Sequence, residues 1–152
     1  MKSLFIAAVS LLASVQFSSA GLFGSMVGTW TQLGTEPGSK VTTVYQRFDK
    51  TGLVATTTII LPDMKKSIGT TRYFADGRVT GKLQRDGAVR STHSGTWSIS
   101  RNTLNSRIKV VAPAFPSFIE KVRTTLVKLN KITVESTSSD GVRSAAILMR
   151  KL

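Results

Sequence analysis

Residues 41–61 read VTTVYQRF (41–48), DKTG (49–52) and LVATTTIIL (53–61). Two runs dense in β-branched and aromatic residues flank a short polar segment that ends on glycine. Such runs suit a pleated, half-buried surface. The Asp49 side chain can bond the backbone two residues on, and Gly52 accepts backbone angles that other residues avoid. The segment therefore reads as a hairpin turn between two strands.

Working outward, the same unit recurs. Residues 53–61 end at Pro62-Asp63, residues 67–74 at Ala75-Asp76-Gly77, and residues 78–84 at Arg85-Asp86-Gly87. Residues 88–100 read as one long strand with Gly95 near its middle, where a bulge or sharp bend is expected. Residues 103–111 form another strand. Residues 111–117 (VAPAFPS) are expected to be a loop held by Pro113 and Pro116. Residues 118–129, 132–137 and 142–150 follow, separated by turns at Asn130-Lys131 and Ser138-Ser139-Asp140-Gly141. Within 118–129, Phe118, Val122 and Leu126 recur at helical spacing, but they also alternate with Glu120 and Thr124. The β-branched Thr124, Thr125 and Val127 favour a strand. Turn signals about every 10 residues define an all-β meander, so the expected fold is an antiparallel up-and-down barrel of about 8–10 strands.

Alternation also assigns faces. Val79, Gly81 and Leu83 alternate with Arg78, Thr80, Lys82 and Gln84; Ile108 and Val110 alternate with Arg107 and Lys109; Ile132 and Val134 alternate with Lys131, Thr133 and Glu135. Basic residues fall on strand exteriors and form no single run. The expectation is a broadly positive shell, with no specific nucleic-acid partner. Two short strings recur: Gly28-Thr29-Trp30 returns as Gly95-Thr96-Trp97, and the 47–52 segment is echoed at 73–77. These read as similar hairpins and not as a repeat array.

The first twenty residues have the layout of an export signal. Lys2 is their one charge, residues 4–15 are apolar apart from Ser10 and Ser14, and Ser18-Ser19-Ala20 supplies small residues for a cut before Gly21. The apolar stretch is about a dozen residues, short of the roughly 20 that span a bilayer. The expected product is a single domain, residues 21–152, with no transmembrane anchor, secreted or periplasmic. No Cys occurs, so neither disulfides nor lipidation of a new N-terminal Cys is available, and burial must supply stability. Without Lys2 the chain carries 20 basic against 8 acidic side chains, a net +12. A field of that size attracts anionic polymers of the cell envelope and also favours solubility.

Most catalytic templates are absent. There is no thiol nucleophile and one histidine, His93, too few for a typical zinc site. No H-E-x-x-H, G-x-S-x-G, Walker or G-x-G-x-x-G string occurs. Asp49, Asp63, Asp76, Asp86 and Asp140 belong to predicted turns. Glu120 and Glu135, on neighbouring strands, could assemble a pair of carboxylates, but balancing nearby Lys and Arg explains them better. His93 could respond to pH or simply occupy a partly exposed strand. No catalytic residue, metal ligand or cofactor is assigned, and no enzymatic activity is expected.

Met26-Val27-Gly28-Thr29-Trp30 carries a G-x-W element. It is followed by Phe48-Asp49-Lys50-Thr51-Gly52, Tyr73-Phe74-Ala75-Asp76-Gly77, and Gly95-Thr96-Trp97-Ser98-Ile99 with Leu104 after it. With the Ser139-Asp140-Gly141 turn and the late Arg150, this series resembles the small secreted or periplasmic bacterial lipocalin-like domains of the calycin superfamily. The resemblance implies that Trp30 plugs one end of the barrel. It also implies that a basic residue near the last strand, here Arg150, lies over its ring, a contact of roughly 0.5–2 kcal/mol. The chain departs from lipocalins in being short, in lacking the disulfide and the helix after the barrel, and in offering about ten strand segments where lipocalins have eight. A ten-strand barrel of the fatty-acid-binding type therefore stays open. The expected function is binding of a small apolar or amphipathic ligand in the barrel, with Tyr45, Phe48, Tyr73 and Phe74 as candidate pocket residues. The alternative is a basic adaptor or inhibitor whose surface, through Lys65-Lys66 and the Pro113–Pro116 loop, meets an anionic envelope polymer or acidic protein.

Overall fold

The computed structural model describes residues 19–152. The export signal expected over residues 1–20 lies outside them apart from Ser19 and Ala20. A short helix, α1 (Ser19–Met26), precedes ten strands. These are β1 (Gly28–Gln32), β2 (Lys40–Arg47), β3 (Leu53–Ile60), β4 (Lys66–Tyr73), β5 (Arg78–Arg85), β6 (Ala88–Ser100), β7 (Thr103–Ala112), β8 (Phe115–Lys128), β9 (Lys131–Ser138) and β10 (Arg143–Arg150). Every strand pairs antiparallel with its neighbour in sequence, and β1 pairs with β10. The expected all-β barrel is present, closed, with ten strands.

The turn aspartates act as read in the sequence, and Gly77, Gly87 and Gly141 take positive φ, whereas Gly52 does not and is needed instead because a Cβ there would meet the Phe48 ring. Asp49 Oδ1 accepts the Thr51 N–H at 2.7 Å, Asp63 the Lys65 N–H at 3.1 Å, and Asp76 the Arg78 N–H at 3.1 Å. Hydrogen bonds to these carboxyl groups hold them below the usual carboxylate range. The segment 118–129 is a strand, as its β-branched residues favour. Two further local expectations are corrected. Residues 111–117 are not an open loop: Val111 and Ala112 continue β7, Phe115–Ser117 belong to β8, and only Pro113 and Ala114 turn the chain. Pro116 is tolerated because it lies in the register irregularity between the pairs Val110–Phe118 and Ala112–Phe115, where the regular ladder is interrupted. Gly95 makes no bulge; the register shift between β5 and β6 lies at Leu83/Gln84. Gly95 is instead required by close packing, since a Cβ there would stand 2.0 Å from the Arg107 carbonyl oxygen.

The interior has a closed end. Because the strands alternate in direction, the starts of odd strands and the ends of even strands meet there. Their inward residues Tyr45, Leu53, Tyr73, Val79, Leu104, Leu126, Ile132 and Leu148 are all buried. α1 fills what remains of this end with Leu22, Phe23 and Met26, each fully buried. The Phe23 ring lies 5.2 Å from that of Trp97 and 6.4 Å from that of Tyr73. The two G-T-W strings stand on β1 and β6, diametrically opposite in a ten-strand barrel. Trp30 Nε1 donates to the Met26 carbonyl and Trp97 Nε1 to the Phe74 carbonyl, both at 2.8 Å. The predicted cut before Gly21 falls inside α1, and Gly21–Met26 retains all three plugging side chains.

Arg150 fastens the plug. Its Cζ sits 4.4 Å from the Trp30 ring centroid. Nη1 donates to the Val27 carbonyl at 2.7 Å, Nε to the Leu129 carbonyl at 2.8 Å, and Nη2 to the Ser25 carbonyl. The guanidinium thus satisfies carbonyls at and just beyond the C-terminus of α1, the end that favours a cation. Gly28, with φ of +139°, leaves room for it, since a Cβ there would stand 2.7 Å from Nη1.

Two stability changes are expected, both measurable by urea unfolding. Phe23→Ala should cost about 3–5 kcal/mol, the range for emptying a buried aromatic site. Arg150→Met, which keeps the stem and removes the donors, should cost about 2–4 kcal/mol through lost charge-assisted hydrogen bonds and the ring contact.

Candidate functional site

Above the packed end the interior changes character. The inward positions nearer the open end include Thr43, Thr57, Ser67, Thr71, Ser91, His93 and Glu120, placed by the register of β2 to β8. They bond one another across strands. Thr43 Oγ1 and Thr57 Oγ1 are 2.9 Å apart, Arg85 Nε donates to Ser67 Oγ at 3.1 Å, and Thr71 Oγ1 lies 3.0 Å from His93 Nε2. Between these groups and the apolar floor is a cavity of about 290 Å³, lined from β4 to β8. Its lining mixes polar groups, Thr71, Ser91, His93, Ser106 and Glu120, with apolar ones, Tyr73, Val79, Ile108, Val110, Phe118 and Val122, and Glu120 stands between Phe118 and Val122 on β8.

His93 occupies this position because of Gly81. The two residues are register partners on β6 and β5. A Cβ at Gly81 would stand 2.3 Å from His93 Nε2 and equally close to the Thr70 carbonyl oxygen, so the missing side chain is the space the imidazole fills. Burial lowers the His93 pKa below its ordinary 6.5, and the charge of Glu120 opposes that shift more weakly.

Of the four aromatic residues named as pocket candidates, Tyr73 alone lines the cavity. Tyr45 is buried in the floor. Burial pushes the Tyr73 hydroxyl up to about 12 and that of Tyr45 higher still, with Tyr73 adding to the effect. Phe48 and Phe74 sit on the turns at the closed end, where their rings meet edge to face at 5.5 Å, and Arg78 Cζ lies 5.0 Å from the Phe74 ring centroid. Trp30 and Arg150 are together at the plug. Glu120 and Glu135 do not assemble a carboxylate pair: Glu120 faces the cavity, while Glu135 lies on the outer face, 3.7 Å from Arg123. The register offsets them by three residues, Glu120 opposing Ser138 and Arg123 opposing Glu135, and an odd offset puts the two on opposite faces. The cavity residues on β7 follow the alternation already evident in the sequence, whereas on β8 Glu120 shares the inward face with Phe118 and Val122, because residues two apart on a strand point the same way. The His93–Gly81 fit leaves no such trace, because it depends on the pairing of two strands.

No protein-family model matches the chain, and no curated protein matches it in sequence. The solved structures that share the fold include two barrels. Rv2717c from M. tuberculosis is 15% identical with a TM-score of 0.56, the match covering 90% of this chain and 99% of that one. The redesigned β-barrel b11L5F_LGL is 16% identical with a TM-score of 0.54, over 90% and 99% of the two chains. At such identities the likeness is one of fold alone: a closed antiparallel barrel.

The His93 shift has a consequence for stability. Its folded pKa lies below the unfolded value of 6.5. As pH falls through 6.5 the unfolded chain binds a proton before the folded protein does, so stability declines toward the folded pKa. Chemical-denaturation midpoints measured from pH 7.5 to 5 should fall more for the native protein than for His93→Gln.

Proposed function

We propose that this protein is a non-enzymatic, exported binding protein that holds one small apolar or amphipathic molecule inside its barrel. The observation that carries this reading is a cavity of mixed apolar and polar lining above a sealed floor. Its volume of about 290 Å³ is at the lower end of small-molecule sites, which run from about 300 to 1,000 Å³. The apolar side chains of the wall, Ile108, Val110, Phe118 and Val122, would take the body of the ligand. Glu120, His93 and the hydroxyls of Thr71, Ser91 and Ser106 would orient its polar group. A Glu120 carboxyl in this wall suits a hydroxyl, amide or amine better than a fatty-acid carboxylate, which it would repel. Export and a periplasmic or extracellular location rest on residues 1–20, and the lipocalin-like reading rests on the G-x-W string with its Arg150 contact. Neither is needed for the cavity argument.

The test pairs native mass spectrometry of protein purified from its own compartment with titration of the uncharged fluorescent probe N-phenyl-1-naphthylamine. A co-purifying small molecule, and a one-to-one probe complex weakened at least tenfold by the cavity-filling Val110→Trp, would support the reading. Probe binding unchanged in Val110→Trp, or no binding by the native protein, would refute it.

A further inference from the structure

The outer wall carries a second feature that the interior reading does not use. Register places Arg78, Thr96, Arg107, Lys121, Thr137 and Arg143 directly opposite one another in succession across β5, β6, β7, β8, β9 and β10. Residues far apart in sequence thus form one row around the barrel, about 24 Å long at the usual strand spacing. All six are exposed. Within the diffuse positive shell expected from the sequence, Arg78, Arg107, Lys121 and Arg143 stand in one line.

Arg107 and Lys121 are direct cross-strand partners. Like charges placed opposite each other destabilise a sheet, and no acid forms an ion pair with either among the described residues. Arg78 is paired with Asp76 at 2.6 Å. The adjacent row, Ser98, Asn105 and Arg123, adds a third cation, whose partner Glu135 stands at the edge. Between the long side chains of Arg107, Lys121 and Arg123 the small residues Thr96, Ser98 and Asn105 leave a groove of about 310 Å³. Trp97 also borders the groove, but its ring packs inward against Phe23 and Tyr73, and from Thr96 to Arg143 the row itself holds no aromatic ring on which a base could stack, the usual source of affinity for single-stranded nucleic acid. Its repertoire is cations interleaved with hydroxyl and amide groups, which suits a chain of phosphate groups.

We infer that the groove between Arg107, Lys121 and Arg123 on the β6–β8 wall binds a linear phosphate-bearing polyanion, which crosses the strands along the row toward Arg143. The site is outside the barrel and independent of the cavity. The experiment is titration of the full domain with long-chain inorganic polyphosphate across a salt series. Arg107→Gln/Lys121→Gln is compared with the mouth-loop control Lys65→Gln/Lys66→Gln, which removes the same charge. The wall variant should bind at least tenfold more weakly, with a salt slope smaller by about 2, and the control should change less than threefold. Because the wall pair repel each other, the variant should melt at or above the native temperature. A separate variant, Glu135→Gln, removes the acid at the groove edge and should tighten binding two- to threefold. Equal losses from both double variants would reduce the effect to net charge and overturn the site. So would absence of polyphosphate binding, or no change in Glu135→Gln. Binding of oligothymidylate as tight as that of polyphosphate would overturn the assignment of the ligand.

Discussion

The guanidinium of Arg150 joins three parts of the chain that would otherwise meet only weakly. β1 has five residues and shares three register pairs with β10, whereas β10 shares seven with β9. That short seam closes the barrel. Arg150 sits on it, opposite Trp30, and its donors reach the carbonyls of Ser25 and Val27 on one side and Leu129 on the other. α1 has no paired strand to hold it, so its position depends on Leu22, Phe23 and Met26 packing inward and on this cation at its C-terminus. The absence of a side chain at Gly28 is part of the same device.

A sealed floor determines what the rest of the interior can be. The closed end is occupied by large apolar side chains and the two tryptophans, so a ligand has access only above them. There the inward positions turn to Thr, Ser, His and Glu, most of them bonded across strands. Under the proposed binding function the barrel separates two tasks along its axis, stability at one end and recognition at the other. The outer wall adds a third surface, organised around the barrel instead of along it. Its cations belong to different strands and come together only because the antiparallel register brings them level.

Much of the fold was legible because its signals are local. Asp at a turn bonds its own backbone whatever the rest of the chain does, and β-branched alternation reports one buried face. The same logic placed Val79, Ile108, Val110, Ile132 and Val134 inside. It failed where geometry is set between distant strands. Aromatic character pointed to Phe48 and Phe74 as pocket residues, yet each falls on a turn outside the cavity, while Tyr73, one residue before Phe74, faces inward. Prolines suggested an open loop at 111–117, but β7 and β8 extend almost to the tip and leave Pro113 in a tight turn. The helical residues after the predicted cut gave too short a pattern to be read as an element, and their role emerges only from the open barrel end they fill.

The sequence by itself therefore determined an all-β chain of antiparallel hairpins, its inward and outward faces, and the Trp30–Arg150 pairing that resemblance suggested. Each follows from local periodicity, turn chemistry or a short motif. Only the tertiary structure decided that ten strands close on one another, that α1 seals one end, and that His93 enters the space left by Gly81. It alone separated Glu120 from Glu135 and aligned Arg107 with Lys121. These are facts of register, and register is fixed by the simultaneous pairing of all strands around the closed barrel, which no single segment encodes.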